Sequence, residues 1–513
     1  MIRTQVIALV AALAAGWVAA AEREVAMFGN TPSRNMVSAE KGLPTKFDAK
    51  SGLNVRWVAE LGTQSYAGPV VAGGKVFVGS NNQRRYDPEL DGDRGNLLAF
   101  DAATGKFLWQ AAHPKLPQGR VNDWPMQGIC STPYIEGDRL YYVSNRAEVI
   151  CADTEGFHDG ENDGPYADES ETLPGAGEQG PKKLAKTGLD DEDVVWRYDL
   201  IGELDVFPHN LAAGNPLVVG NILYTVTGQG VDEGHINVPS PLAPTFVALN
   251  KLTGELVWED SSPGERIFHG SWSNPAYGEF AGKGQILIPG GDGWLYAFEP
   301  KTGAILWKFN LNPPGTKWIL GGRGTANNVI STPVVHDGVV YVAVGQDPEH
   351  GEGPGNLWAI EPAGKSGDVT GQALWHVGGD AFHRTLSTAA VHDGLLYIAD
   401  LSGFVYCFEA RTGKLVWTYD ALAAIWGSTF VADGKVYIGD EDGDLAVLRA
   451  GRELELLHEA NLGAAVYTTP VAKDGTLYVV SNTRLFALKE GIAPKAPAPP
   501  AKPAPAAPQA GAR

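Results

Sequence analysis

A tryptophan closes the same phrase again and again along this chain. Residues 99–109 read Ala-Phe-Asp-Ala-Ala-Thr-Gly-Lys-Phe-Leu-Trp, and residues 248–258 read Ala-Leu-Asn-Lys-Leu-Thr-Gly-Glu-Leu-Val-Trp. The phrase returns at 297–307 and 407–417, ending on Trp307 and Trp417, and degenerate copies end on Trp196 and Trp375. It reads as strand, tight Thr-Gly turn, strand, with the tryptophan on the second strand. A unit repeated in this way constrains the architecture before any single residue is weighed.

The unit is longer than the phrase. Upstream of each copy lies a small polar residue before proline, then an Asp-Gly or Gly-Asn type turn between apolar runs, as in Pro333-Val-Val-His-Asp-Gly-Val-Val-Tyr-Val. Alternating β-branched and aromatic residues bounded by such turns predict hairpins. Each unit then holds four antiparallel strands, A to D, at a period of about 40–50 residues, which suits the blades of a propeller. Strand A to C sets begin near Pro69, Pro133, Pro216, Pro275, Pro333, Ala389, Phe430 and Pro470. The first seven are followed by a strand D at Trp109, Trp196, Trp258, Trp307, Trp375, Trp417 and Leu456-Leu457. The eighth ends near Leu488 without one, while an orphan strand D, Asn54 to Leu61 with Trp57 in place, stands at the other end. The expectation is an all-β, eight-bladed propeller of four-stranded antiparallel blades over residues 54–490. The N-terminal strand completes the last blade and removes the sheet edges of an open array.

The phrase Ala-x-Asp-x-x-Thr-Gly-x-x-x-Trp resembles the tryptophan-docking repeat of the pyrroloquinoline-quinone (PQQ) β-propeller superfamily. The resemblance implies the fold over nearly the whole chain, but several functions. It takes in quinoprotein alcohol dehydrogenases, the non-enzymatic propeller lipoprotein of the outer-membrane assembly machinery, and exported repeat-only propellers. A dehydrogenase would need PQQ, a calcium ion held by carboxylate and amide oxygens, and a carboxylate base. Glu203, Asp205 and Asp380 are the acids nearest the expected rim. The adjacent Cys-Cys pair typical of quinoprotein alcohol dehydrogenases does not occur here.

Outside the propeller, Arg3, the apolar stretch Val6 to Val18 and Ala19-Ala20-Ala21 read as a signal peptide over 1–21, with no cysteine after it to carry a lipid. Residues 22–53 form an N-terminal extension, and the Pro- and Ala-rich residues 491–513 a disordered tail. A periplasmic or secreted monomer with no membrane span is expected. The formal net charge of -20 argues against nucleic acid or an anionic membrane as partner. Of the three cysteines, Cys151 and Cys407 stand in the alanine slot of the phrase and Cys130 begins a strand A; all are expected as unpaired thiols.

Strand A starts surround the channel of a propeller, so function is sought six residues before each strand A proline or its equivalent. The occupants are Thr63, Gln127, Asn210, His269, Asn327, His383, Ala424 and Ala464. Gln64, Tyr66, His209, Trp272, Arg384, Trp426 and Tyr467 are their neighbours. Polar groups among aromatic walls make a small-molecule rim. His209, His269 and His383 could ligate a transition metal if they converge. Arg323 and Arg384 could anchor an anion such as the PQQ carboxylates. In the insertion 155–193 of blade two, Asp159, Glu161 and Asp163 resemble the start of a calcium loop, although Ser170 stands where the bidentate acid belongs. This insertion, the acidic loop Asp87 to Asp93 and the excursion Asp347 to Glu352 are all expected between strands B and C, on one face. The leading functional expectation is an exported, non-enzymatic binding or scaffold module whose ligand is an unidentified protein or small molecule. The alternatives are a PQQ- and calcium-dependent dehydrogenase and an outer-membrane assembly factor.

Overall fold

The computed structural model describes residues 24–173, 182–346 and 348–495. Among the described residues, eight four-stranded antiparallel blades stand in a ring, three of them extended by a two-residue strand, and a separate two-stranded hairpin lies in the blade-two insertion. Blades one to seven span 70–114, 134–199, 217–260, 276–310, 334–383, 390–420 and 430–461. Blade eight takes its strands A to C from 471–489 and its strand D from Val55–Glu60. The N-terminal strand thus closes the ring, as the orphan tryptophan predicts. Residues 1–23, which include the expected signal peptide, and residues 496–513 of the tail lie outside the described residues.

The phrase encodes two partners that meet across a blade boundary. Within each blade the tryptophan on strand D faces the alanine slot of strand C: Ala99 pairs with Trp109, Cys151 with Trp196, Ala248 with Trp258, Cys407 with Trp417, and Ala487 with Trp57. A small side chain there leaves room for the indole. The indole then crosses to the next blade. Its N–H donates to the carbonyl of Ala102 from Trp57, of Thr154 from Trp109, of Lys251 from Trp196, of Pro300 from Trp258, of Ala410 from Trp375 and of Gly451 from Trp417, at 2.8–3.1 Å. Trp57 carries this contact from blade eight to blade one, so the ring closes on the same bond that builds it. Trp307 departs from the rule and donates to Gln285 Oε1 within its own blade at 2.7 Å. In blade seven His458 takes the tryptophan position, opposite Val447.

The Thr-Gly turn is the other half of the dock. A Cβ on Gly105, Gly254, Gly303 or Gly413 would stand 2.6–2.7 Å from the ring of Trp57, Trp196, Trp258 or Trp375 of the preceding blade. These glycines also have φ near +70°. The position therefore excludes side chains twice, by conformation and by contact.

The small polar residue before each strand A has its own use. Gly68 N–H donates to Thr132 Oγ1, Thr132 N–H to Asn215 Oδ1, and Asn215 N–H to Asn274 Oδ1. Asn274 Nδ2 donates to Thr332 Oγ1, and the backbone N–H groups of Thr332, Thr388 and Ser428 donate to Thr388, Ser428 and Thr469. One hydroxyl or amide per blade hands the bond to its neighbour, making a polar girdle around the channel.

Below the girdle, the N-terminal extension runs across the channel. Val25–Ala26 pairs with strand A of blade two, and Val37–Ser38 lies parallel to strand A of blade seven. Between them Arg34 is fully buried. Its guanidinium donates to the carbonyls of Phe28, Pro275, Asn215 and Pro216 at 2.8–3.3 Å, and burial lowers its pKa to about 9. Asn35 exchanges two bonds with the backbone of Val391 in blade six. The extension is a plug, and the channel is a cup open at the opposite face.

One expectation is corrected. The blade-two insertion separates strand C, Glu148–Asp153, from strand D, Val194–Asp199, and not B from C. It replaces the Thr-Gly turn and leaves from the end of the blade opposite the mouth. It then packs against blade one, Gln110 N–H of the outer strand donating to Asp190 O and Arg94 of strand C forking onto Glu171. The blade-one and blade-five loops do lie between B and C. The three therefore do not form a single platform.

Behind this flap is a buried chain. His113 Nε2 lies 2.7 Å from the Tyr142 hydroxyl, which donates to Glu192 Oε1 at 2.7 Å. Burial, partly offset by the Tyr142 bond, raises the Glu192 pKa to about 7. Burial also pushes His113 well below its ordinary value, with Lys186 and Arg146 adding to the effect.

The packing makes two expectations measurable. Gly254 and Gly338 share φ +75°, but only Gly254 has an indole against it. Gly254→Ala should cost about 1–3 kcal/mol more than Gly338→Ala in denaturant unfolding, the usual penalty for overpacking; equal losses would remove the dock as its cause. Glu192 binds its proton more tightly folded than unfolded. Its stabilising contribution is complete below about pH 4 and is lost as pH rises to about 7. At pH 8 Glu192→Gln should therefore recover up to about 3 kcal/mol relative to its effect at pH 4, from the 1.36 kcal/mol per pKa unit of linkage. A pH-independent difference would rule this out.

Candidate functional site: an aromatic cup beside clustered histidines

At the open face, the ends of blades seven, eight and one present rings to one another. Tyr66 and Tyr467 stack at 5.5 Å with a 9° tilt, and Trp426 and Tyr467 at 4.3 Å with a 26° tilt. Trp272 faces the channel from blade four, its indole N–H shared between the carbonyls of His209 and Leu211 at 3.2 and 3.3 Å. Tyr66, Gln127, Asn210, Trp272 and Trp426 line one cavity of about 330 Å³, together with Trp124, Cys130, Leu211, Ile330, Glu349 and Leu386. A narrower space of about 180 Å³ continues below it to the girdle and to Phe28 of the plug.

The cup is largely apolar, and burial fixes the state of its acidic groups. Desolvation raises Tyr66 to about 12, reinforced by Cys130 and Glu441, and raises the Cys130 thiol to about 12. Neither ionises near neutrality. Gln127 Oε1 is shielded from solvent and meets no hydrogen-bond donor among the described residues. Buried acceptors of this kind are rare in native structures, and this one lies in the wall of a cavity.

The remaining rim residues divide. Asn327 and Arg384 bond each other, Arg384 Nε donating to Asn327 Oδ1 at 3.0 Å. The Arg384 guanidinium also donates to the carbonyl of His350 at 2.8 Å. His209 and His269 are fully buried and lie side by side, with ring centroids 4.3 Å apart. His383 does not join them; its Nδ1 pairs with Asp400 at 3.0 Å. Its place is taken by His235, whose Nε2 is 3.2 Å from His209 Nε2 and 3.3 Å from His269 Nε2. Gln64 and Arg323 stand away from the cup: Arg323 is exposed at the end of the short 3-10 turn Leu320–Gly322. In the acidic insertion, Asp159 and Asp163 cluster with Asp153 and leave Glu161 out. Arg139 already pairs with Asp153 and Asp163.

Sequence reasoning at a fixed offset from strand A misses His235, Trp124 and Glu349. His235 sits in the long B-to-C loop of blade three, between Ile222–Val226 and Phe246–Asn250. The length of that loop was the available signal. Glu349 and His350 belong to the blade-five excursion, which does reach the mouth; Asp347 lies outside the described residues.

A calcium-held quinone can be tested against these donors. Glu349 is the single carboxylate lining the cavity among the described residues. Glu203 and Asp205 line a different cavity, and Asp380 is exposed on a strand. The three cysteines are unpaired. The aromatic walls would accept a planar ring, but among the described residues the oxygen donors lining the cavity do not make up a calcium site for PQQ.

Comparison with known proteins agrees with the fold and spreads over functions. A family model described as outer membrane protein assembly factor BamB matches residues 17–158, 176–361 and 353–491. The chain is 25% identical over 295 residues to BamB of Yersinia pestis, covering 56% of this chain and 63% of that protein. It is 26% identical over 356 residues to a tetrathionate hydrolase of Acidithiobacillus ferrooxidans, covering 58% and 66%. To a polyvinylalcohol dehydrogenase of Sphingopyxis it is 26% identical over 377 residues, covering 68% and 45%. The chain thus spans less than two thirds of each of these relatives. Among solved structures, BamB of Moraxella catarrhalis superposes with a TM-score of 0.52 at 14% identity, covering 85% of this chain and 97% of that one. A europium-containing methanol dehydrogenase does so at 0.57 and 13%, covering 91% and 98%. These two likenesses carry the fold alone. Among the described residues no helix is long and apolar enough to cross a membrane.

Proposed function

The chain belongs to the family of the outer membrane protein assembly factor BamB, and from that premise we propose that it is an exported, non-enzymatic propeller that binds a small planar or aromatic ligand in the cup over its plugged channel. The observation that carries this reading is the parallel stack of Tyr66, Tyr467 and Trp426, with Trp272 in the same cavity. Aromatic walls give a planar ligand most of its contact area, and a few polar groups orient it. The side chains of Gln127 and Asn210, both in the cavity lining, supply that polarity. Export is supported by the signal-like N-terminus and by the outer-membrane role in the name of the Yersinia relative.

A quinoprotein dehydrogenase takes less support, because among the described residues a single carboxylate lines the cavity and the guanidinium of Arg384 is turned onto loop carbonyls. Adding PQQ and calcium to the purified protein should therefore give no reduction of an acceptor dye with alcohols or sugars; turnover above background would reverse the reading.

The cup itself is tested with anilinonaphthalene sulfonate as a planar aromatic probe, followed by energy transfer from tryptophan. Tyr66→Ala should weaken binding roughly two- to tenfold, the worth of one aromatic pair at about 0.5–1.5 kcal/mol. Trp358→His, which alters a tryptophan outside the cup, should leave the affinity unchanged. Equal affinity in the wild type and Tyr66→Ala would sink the proposal.

A further inference from the structure

We propose that His209, His235 and His269 form a binding site for one divalent transition-metal ion of the zinc class. This goes beyond the aromatic cup and does not depend on it. The Nε2 separations of 3.2 and 3.3 Å around His235 are the first argument. Zinc–imidazole bonds are about 2.0–2.1 Å, so nitrogens at the corners of a tetrahedron stand about 3.3–3.4 Å apart. All three candidate ligand atoms lie within 4.8 Å of one another.

His235 Nε2 lies at bonding distance from both neighbouring ring nitrogens. A cation placed between the three nitrogens would be held by all of them at once.

The surroundings set up the ligands. His209 Nδ1 lies 2.7 Å from the carbonyl oxygen of Val231, which can only accept, so the Nδ1–H is fixed and the Nε2 lone pair faces the cluster. Bonds of this kind are the usual outer support of a metal-binding histidine. His209 and His269 are 1% and 0% exposed, whereas His235 is half-buried, which leaves a route for the ion.

The backbone is shaped for the same end. His209 N–H donates to Gly228 O, Gly230 N–H to Phe207 O, and Val231 N–H to His269 O at 2.9–3.0 Å, lacing the three segments together. A Cβ on Gly230 would stand 2.4 Å from His269 O and 2.5 Å from His209 Cβ, so the approach requires glycine. His235 itself adopts φ +54°. The side chain of Asp232 holds that turn through Ile236 N–H and Asn237 Nδ2. Unusual backbone at a residue so firmly held is a mark of functional sites.

Zinc and cobalt are the probes. Untagged full-length protein, stripped with chelator and dialysed against zinc, should retain one equivalent by elemental analysis and unfold at a higher temperature than the stripped form. Cobalt in its place should give the strong visible absorption of a four- or five-coordinate ion. His235→Ala should weaken zinc binding by about a hundredfold or more, since outer-shell partners alone are worth 10–100-fold. His235→Gln serves in its place if alanine does not fold, and His336→Ala on the surface of blade five should change nothing. Failure to retain an equivalent of zinc, or unchanged affinity in the folded His235 variant, overturns the proposal.

Discussion

The contact of one tryptophan with one glycine across a blade boundary is the interaction on which the molecule rests. Each blade is a small twisted sheet whose broad faces need neighbours. The indole covers apolar area, its N–H ties a backbone carbonyl of the next blade, and its ring fits where that blade's turn has no side chain. Tryptophan and turn glycine occur in one phrase because each blade offers the first to one neighbour and the second to the other. Strand Val55–Glu60 inserts Trp57 into blade eight and thereby into blade one, so closure adds no new kind of contact.

The closed ring then dictates what can happen at its axis. The strand A starts surround one channel, and their small polar residues pass a hydrogen bond from blade to blade. One end is sealed by residues 24–38, whose Arg34 replaces water with four backbone carbonyls. Burying a guanidinium without a carboxylate is costly unless its donors are satisfied, and carbonyls from three segments do this. The space below the mouth ends against Phe28 of this extension.

The fold was legible in the sequence because docking is local in sequence: alanine slot, Thr-Gly turn and tryptophan occupy eleven consecutive positions, as in 99–109. The rim was legible in part, because a fixed offset from strand A finds whatever the ring places at the axis. That offset located Gln127, Asn210 and His269, and their neighbours Tyr66, Trp272, Trp426 and Tyr467. It failed where loops decide. His383 has the right offset but turns to Asp400, while His235 arrives from an irregular loop with no fixed offset. The plug was not legible at all. Arg34 is bound by Asn215, Pro216 and Pro275, some two hundred residues away, and a carbonyl carries no side-chain signature.

The cup and the histidines meet at Trp272, which belongs to both. Its ring is part of the cavity wall and stands 5.1 Å from the ring of His269, while its N–H holds the carbonyls of His209 and Leu211. A displacement of the indole would therefore shift the backbone that carries His209, and a pull on His209 would tilt the indole. Gly270 lets the two crowd together, since a Cβ there would stand 2.3 Å from the Trp272 ring. A repeat built for rigidity thus leaves one wall of its cup mechanically tied to a histidine cluster. Any coupling of free energy between occupants of the two places would have to act equally in both directions.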